Sequence, residues 1–337
     1  MEELQAERVI TSAGTAIETM RDAYDAEVRE FLAEKRVLAV ILKSCVKEFQ
    51  NCSLTEIADA CIEGMPQVHE IGVDKDTAHP AVDLPPVRIS AGDKITAVAN
   101  EDTSKSEGSI RYDIRFLAAA PGAKEPIRLI INVEAQRKYH PGYPVVRRGV
   151  YYAARMISAQ KSVEFTGDHY EDIKKVYSIW ICYHVPRRRQ NTVACYELNE
   201  RFLAGEANRA AETATHYDLL SVLVLGLGNP NKAEKCSVLR MLGTALSTQI
   251  DQKTKKQVLS EEFHIPMTRR IERKVERMCN LSQGIWEEGI QKGREEGETL
   301  LARLICHLIA DCRMDDVQLA TADKDARLRL YREYKIM

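Results

Sequence analysis

Two apolar segments joined by a turn constrain this chain more than any other feature. Tyr112-Asp113-Ile114-Arg115-Phe116 precedes the turn-forming stretch Pro121-Gly122-Ala123-Lys124-Glu125-Pro126, and Ile130-Ile131-Asn132-Val133-Glu134-Ala135-Gln136 follows it. Such runs read as buried strands, and the proline and glycine between them fold one strand back beside the other. Side chains alternate along a strand, so Glu134 and Gln136 point the same way while Ala135 points into the packing. Antiparallel pairing then brings Asp113 near Glu134. Two carboxylates and an amide on one sheet edge, with the Ala135 backbone carbonyl as a further oxygen, suit Mg²⁺, which takes a few carboxylates plus water and phosphate. The same carboxylates also suit strand-end ion pairs with Arg115 or Arg128, and the residues by themselves leave both readings open. The strand running into Glu134 is nonetheless apolar except at Asn132, and a carboxylate at such an end is costly without a partner.

The remaining sequence sets limits on this site. A chain of 337 residues is long enough for a well-buried catalytic unit and a second smaller one. Its net charge of -2 provides no global attraction to nucleic acid, so any such surface must be local. The nine cysteines include no CxxC pair, which argues against structural zinc. Without a basic-then-apolar leader they fit a reducing cytoplasm. The longest apolar run, Leu219 to Leu227, is too short to cross a bilayer.

Residues 22–50 read as one long helix carrying Glu48 near its end. A shorter helix starts at Ser53 with Glu56 three residues on, a capping-box spacing. Residues 74–92 read as a loop and Ile95 to Ala99 as a first strand, followed by strands at 110–119 and 127–135. A helix over 146–162 and a strand over 176–183 complete an α/β core, a mixed central sheet flanked by helices. Beyond Asn199 the pattern is mostly helical. Tyr217 to Leu227 reads as an apolar helix stopped by Gly228-Asn229-Pro230, Ala233 to Leu246 as another, and a long charged helix starts at Thr268. The resulting division is a core over 1–200, a helical extension over 201–265 and a C-terminal region over 266–337. Gly284, Gly289, Gly293 and Gly297 mark a helix–helix contact or a weakly helical connector, and the C-terminal helices are candidates for pairing two copies.

Local cations supply candidate phosphate contacts: Arg147, Arg148 and Arg155 on the helix after the hairpin, and Arg187, Arg188 and Arg189 after the next strand. A charge run reads equally as a solvated loop. Tyr143, Tyr151 and Tyr152 either line a groove or pack the helix. His140, His169 and His184 lack metal-ligand spacing and read as structural or surface residues.

The run from about Asn100 to Cys182 resembles the PD-(D/E)XK nuclease family transposases, also called recombination-promoting nucleases. The resemblance lies in Glu107-Gly108, Tyr112 to Phe116, Ile131 to Gln136, Tyr139-His140-Pro141-Gly142-Tyr143, Arg148 to Ser158 and Tyr177 to Ile181. Val46-Lys47-Glu48-Phe49, Met278-Cys279-Asn280-Leu281-Ser282 and the glycine repeat are also similar. It implies a restriction-endonuclease-like fold and cleavage of double-stranded DNA dependent on Mg²⁺ or Mn²⁺, in a protein of mobile elements or recombination. Asp113 and Glu134 match the family's acidic metal ligands, and Glu48 matches an N-terminal helix carboxylate that reaches the metal in related folds. Gln136 stands where the broader superfamily has lysine, and Lys138, two positions on, is the candidate substitute. An inactive DNA-binding scaffold of the same fold and an RNA-directed nuclease are the competing expectations.

Overall fold

Leu129 to Glu134 is buried without interruption, so both faces of this strand and both of its edges need partners. The computed structural model, which describes residues 2–64, 66–68, 101–104, 108–121, 127–204, 211–233 and 236–336, supplies them. Strand β4 (Ile114–Ala120) runs antiparallel to β5 (Ile127–Lys138), with Ile114 opposite Val133 and Ala120 opposite Ile127. On its other edge β5 pairs in parallel with β6 (Lys175–His184), Glu134 beside Trp180 and Gln136 beside Cys182. The sheet is extended by β1 (Gln67–Val68) against β4, then by β8 (Leu220–Gly226) and β7 (Thr192–Glu197) beyond β6, in the order β1-β4-β5-β6-β8-β7. A separate hairpin pairs β2 (Glu101–Ser104) with β3 (Gly108–Arg111). The protein is thus α/β, with a mixed sheet flanked by helices and a mostly helical C-terminal region.

A parallel neighbour requires a crossover, and helix α4 (Val145–Ser158) provides it between β5 and β6. Here α1 (Glu2–Leu32), α2 (Lys35–Cys45) and α3 (Leu54–Glu56) precede it in the chain. Tyr152, Ala153 and Met156 of α4 pack with Ile130, Val176, Trp180, Val222 and Val224 on one sheet face. The approach is close at Gly149, where a Cβ would lie 2.6 Å from Val222 Cγ1 and 2.9 Å from Trp180 Nε1. On the opposite face α1 lies against Tyr183, whose ring centroid is 6.4 Å from that of Tyr24.

Several local expectations change. The helix expected over 22–50 breaks after Leu32, where Glu34 takes an extended conformation and α2 begins at Lys35. The buried Lys274 sits at this break: its ammonium donates to the Glu30 carbonyl at 2.7 Å and to Glu34 Oε1 at 2.7 Å. It thereby caps an end carbonyl that α1 cannot pair. Tyr217 to Leu227 is not a helix. Its centre is β8, placed between β6 and β7 and buried from Ser221 to Gly226. A short, wholly apolar run has no period that separates helix from strand, and a strand covered on both faces needs none. The capping box does form, Glu56 N–H donating to Ser53 Oγ at 3.1 Å and Ser53 N–H to Glu56 Oε2 at 3.3 Å. The loop over 74–92, the strand Ile95 to Ala99, Glu107 and the turn residues 122–126 lie outside the described residues.

The chain divides into two compact units. Asp22–Asn280 contains the six-stranded sheet together with α5 (Ala214–Tyr217), α6 (Ser237–Leu246), α7 (Gln252–Glu261) and the start of α8 (Arg269–Ala310). The other unit is Met1–Arg21 with Leu281–Met337. In it α8 continues as helix through all four glycines, and Leu304 and Leu308 pack with Ala320 of α9 (Met314–Ala322) and Leu330 and Tyr331 of α10 (Lys324–Glu333).

Gly149→Ala gains helix propensity of up to about 1 kcal/mol but overpacks the α4–sheet contact, which typically costs about 1–3 kcal/mol. The expected result is net destabilisation of about 1 kcal/mol in urea unfolding, with altered Trp180 fluorescence. Stability equal to or above wild type would show that the helix can move away freely.

Candidate active site

The β4–β5 register, extended by one residue, sets Asp113 opposite Glu134. β4 stops at Ile114, and beyond it the Asp113 side chain takes over the strand's role. Ala135 N–H donates to Asp113 Oδ2 at 2.9 Å, and Asp113 N–H donates to Glu134 Oε1 at 3.2 Å. Asn132 Nδ2 donates to the same Glu134 oxygen at 3.0 Å, which fixes which end of the amide faces the carboxylate. Among the described residues no hydrogen bond reaches Asp113 Oδ1, Glu134 Oε2 or the wholly buried Asn132 Oδ1. The N–H and C=O of a strand residue leave on the same side, so the Ala135 carbonyl lies on the edge that Asp113 caps.

Glu134 is only 4% exposed. Burial, then the adjacent charge of Asp113, pushes its carboxyl well above the ordinary 4.5. Burial also raises Asp113, against the pull of Arg29, the Ala135 N–H and Arg148. Like charges this close in a desolvated site do not both ionise without an added cation. Among the described residues no cluster of three or more His, Cys, Asp or Glu is gathered as a ligand set. The donor set that does exist is two carboxylates, a backbone carbonyl and a neighbouring amide, which fits a hard cation completed by water.

Arg148 projects from α4 toward this pair and is held firmly. It donates to the Tyr152 hydroxyl at 3.0 and 2.6 Å and to the Tyr143 hydroxyl at 2.7 Å. Its guanidinium also lies over the Tyr152 and Trp180 rings, 5.0 and 5.6 Å from their centroids. Gln136 follows Glu134 on the same face, half-buried, with no side-chain hydrogen bond among the described residues; Lys138 is next on that face and exposed. Arg147 is exposed on α4, and Arg187, Arg188 and Arg189 are exposed on a short 3-10 turn after β6.

Two expected members do not join the site. Glu48 sits on the other face of the sheet, where it accepts from the Tyr177 hydroxyl at 2.6 Å and faces Lys175 Nζ at 3.3 Å. Tyr177 pairs with Ile131, three residues or roughly 10 Å before Glu134 along the strand. Arg155 is 5% exposed, packed between α4 and its neighbours, and has no surface with which to meet a phosphate.

The helix carboxylate that does approach is Asp25 on α1, which the sequence reading missed. It accepts from the Tyr183 hydroxyl, lies 3.8 Å from Arg137, and its charge acts on Asp113. Burial raises its carboxyl too. The available signal was its position beside the buried Tyr24–Val28 stripe, with Arg29 one turn further on.

Fold and site together define an α/β protein whose mixed sheet carries a buried carboxylate pair where an antiparallel strand gives out. Comparison with family models, with curated proteins and with solved structures gives no match for this chain.

Raised carboxyls stabilise the fold fully below the unfolded values, 3.8 for Asp113 and 4.5 for Glu134, and that contribution is lost as pH rises through the folded ones. Glu134→Gln keeps the oxygen that accepts both hydrogen bonds and removes the charge. It should raise the melting temperature at pH 8 by about 2–4 °C, the scale of 1 kcal/mol in a chain of this size, and by nothing near pH 4. Millimolar Mg²⁺ should stabilise the wild type and not the variant. Identical pH and Mg²⁺ responses in the two proteins would remove the carboxylate pair as the origin.

Proposed function

We propose that this protein is a divalent-metal-dependent DNA endonuclease with a restriction-endonuclease-like core, acting by hydrolysis in the setting of mobile elements or recombination. The observation that carries the reading is the Asp113–Glu134 pair, linked through the Ala135 N–H with the Ala135 carbonyl on the same edge. The chain order supports it: a helix, three antiparallel strands (β1, β4, β5), a crossover helix and a parallel strand, with the acids at the head of β4 and within β5.

Asp113, Glu134 and the Ala135 carbonyl would hold Mg²⁺ or Mn²⁺, which supplies Lewis-acid charge for a phosphate oxygen and a lowered pKa for water. The chain's own residues do the rest. Gln136, two residues past Glu134, orients the attacking water through its amide but takes up no proton. The proton therefore leaves to solvent or to a phosphate oxygen. Arg148, preorganised by two tyrosine hydroxyls and two rings, offers fixed positive charge where the pentavalent phosphorus gathers negative charge. Arg147 and Arg187 to Arg189 are placed to meet flanking phosphates. Attack is in line on the phosphodiester with no covalent enzyme intermediate: the bond from phosphorus to the leaving sugar oxygen breaks as the water oxygen bonds, and the leaving oxygen takes its proton from solvent.

Supercoiled plasmid with Mg²⁺ or Mn²⁺ should be nicked. Asp113→Ala and Glu134→Ala should each lower the rate about a thousandfold, the scale of 4 kcal/mol in the transition state. Asp25→Asn should slow nicking, and Glu48→Gln should leave it within about twofold. Absent nicking, or nicking unchanged in the Asp113 and Glu134 variants, overturns the proposal. Faster cleavage of structured RNA than of plasmid under the same conditions would move the substrate to RNA.

A further inference from the structure

An open pocket of 470 Å³ lies at the carboxyl ends of the parallel strands β5 and β6, where open α/β sheets commonly receive ligands. Four ring-bearing residues line it, Tyr139, His140, Tyr183 and His184, together with Lys138 and Gln190. His140 and His184 are exposed, and Tyr139 and Tyr183 are half-buried. Tyr139 meets His140 edge-on at 4.7 Å, and Tyr183 meets His184 at 5.5 Å in a tilted pair. Tyr139 N–H donates to the His184 carbonyl at 3.2 Å, which ties the two strand ends together beneath them. Beside the opening, Arg187, Arg188 and Arg189 are exposed, and the Arg189 guanidinium lies 5.9 Å from the Tyr139 ring centroid.

We infer that this pocket takes one unstacked nucleotide of the strand to be cut. Aromatic faces with a neighbouring guanidinium are the chemistry that holds a base removed from its stack, and Lys138 with the arginine turn is the chemistry that holds its phosphate. A Gln190 amide can pair with a base edge.

The pocket is also joined to the carboxylate pair. Tyr183, one wall, donates its hydroxyl to Asp25, whose charge acts on Asp113. Lys138 lies two residues, roughly 7 Å, beyond Gln136 on the same strand face. A strand occupying the pocket therefore continues past Gln136 toward the scissile position. The inference deepens the nuclease reading and rests on it for the identity of the polymer.

Binding in EDTA tests it without cleavage. The probes are a fluorescein-labelled oligothymidylate strand, the same strand annealed to oligoadenylate, and an abasic strand of equal length, each followed by anisotropy. The oligothymidylate strand should bind at least about tenfold more tightly than either other probe, since the duplex must unstack a base and the abasic strand has none. Tyr139→Ala should remove most of that preference. His184→Ala, at an exposed position, should weaken it severalfold. Equal binding of all three probes, or a preference untouched in both variants, overturns the inference. Because no metal is present, a strand preference in a protein that nicks nothing would sink the nuclease reading alone. Nicking without a strand preference would sink the pocket alone.

Discussion

Burying two carboxyls against a single stretch of backbone is the constraint on which the site depends. At Ile114 the antiparallel ladder stops, and β5 still presents the Ala135 N–H on that edge. A buried amide requires an acceptor. Asp113 supplies one from its side chain, so a carboxylate stands where a backbone carbonyl would have been. The same bend delivers the Asp113 N–H to Glu134. The two acids are therefore placed by the hydrogen-bonding needs of the sheet itself, independently of any ligand.

The positive charges around the pair are graded by how firmly they are held. Arg29 approaches from α1 on one face and Arg148 from α4 on the other, and both favour an ionised Asp113. Arg148 is locked by hydroxyls and rings, while Arg147, Arg187 and Arg188 are exposed and Arg189 reaches the Tyr139 ring. A fixed cation thus lies next to the acids, with exposed ones further out. Glu48 belongs to a different economy of charge. With Tyr177, Lys175 and Asp218 it forms a closed network at the opposite end and face of β6.

The hairpin and its acids were legible in the sequence because local rules determine them: alternation sets the face, the turn sets the pairing, and the apolar run sets the burial. The capping box at Ser53 was legible for the same reason. What failed was decided at long range. Lys274, which binds both sides of the break in the first helix, is 240 residues from Glu34, and nothing between Asp22 and Gln50 signals its arrival. β8 was misread because uniform burial removes periodicity. Glu48 and Asp25 are both helix carboxylates with apolar neighbours, and only the packing of α1 against Tyr183 selects Asp25. Arg155 illustrates the same limit, since charge alone does not separate a buried arginine from an exposed one.

The ion-paired contact between α1 and the start of α8 affects when the site can exist. Lys274, Arg270 and Arg277 hold Glu30, Glu34 and Glu27, so the helix bearing Asp25 and Arg29 is anchored by residues near the far end of the chain. During synthesis the acids of β4 and β5 emerge early, but the ion pairs that anchor the helix beside them form only once the segment around residue 277 has been made. A nascent chain therefore carries the carboxylate pair without that anchor until then.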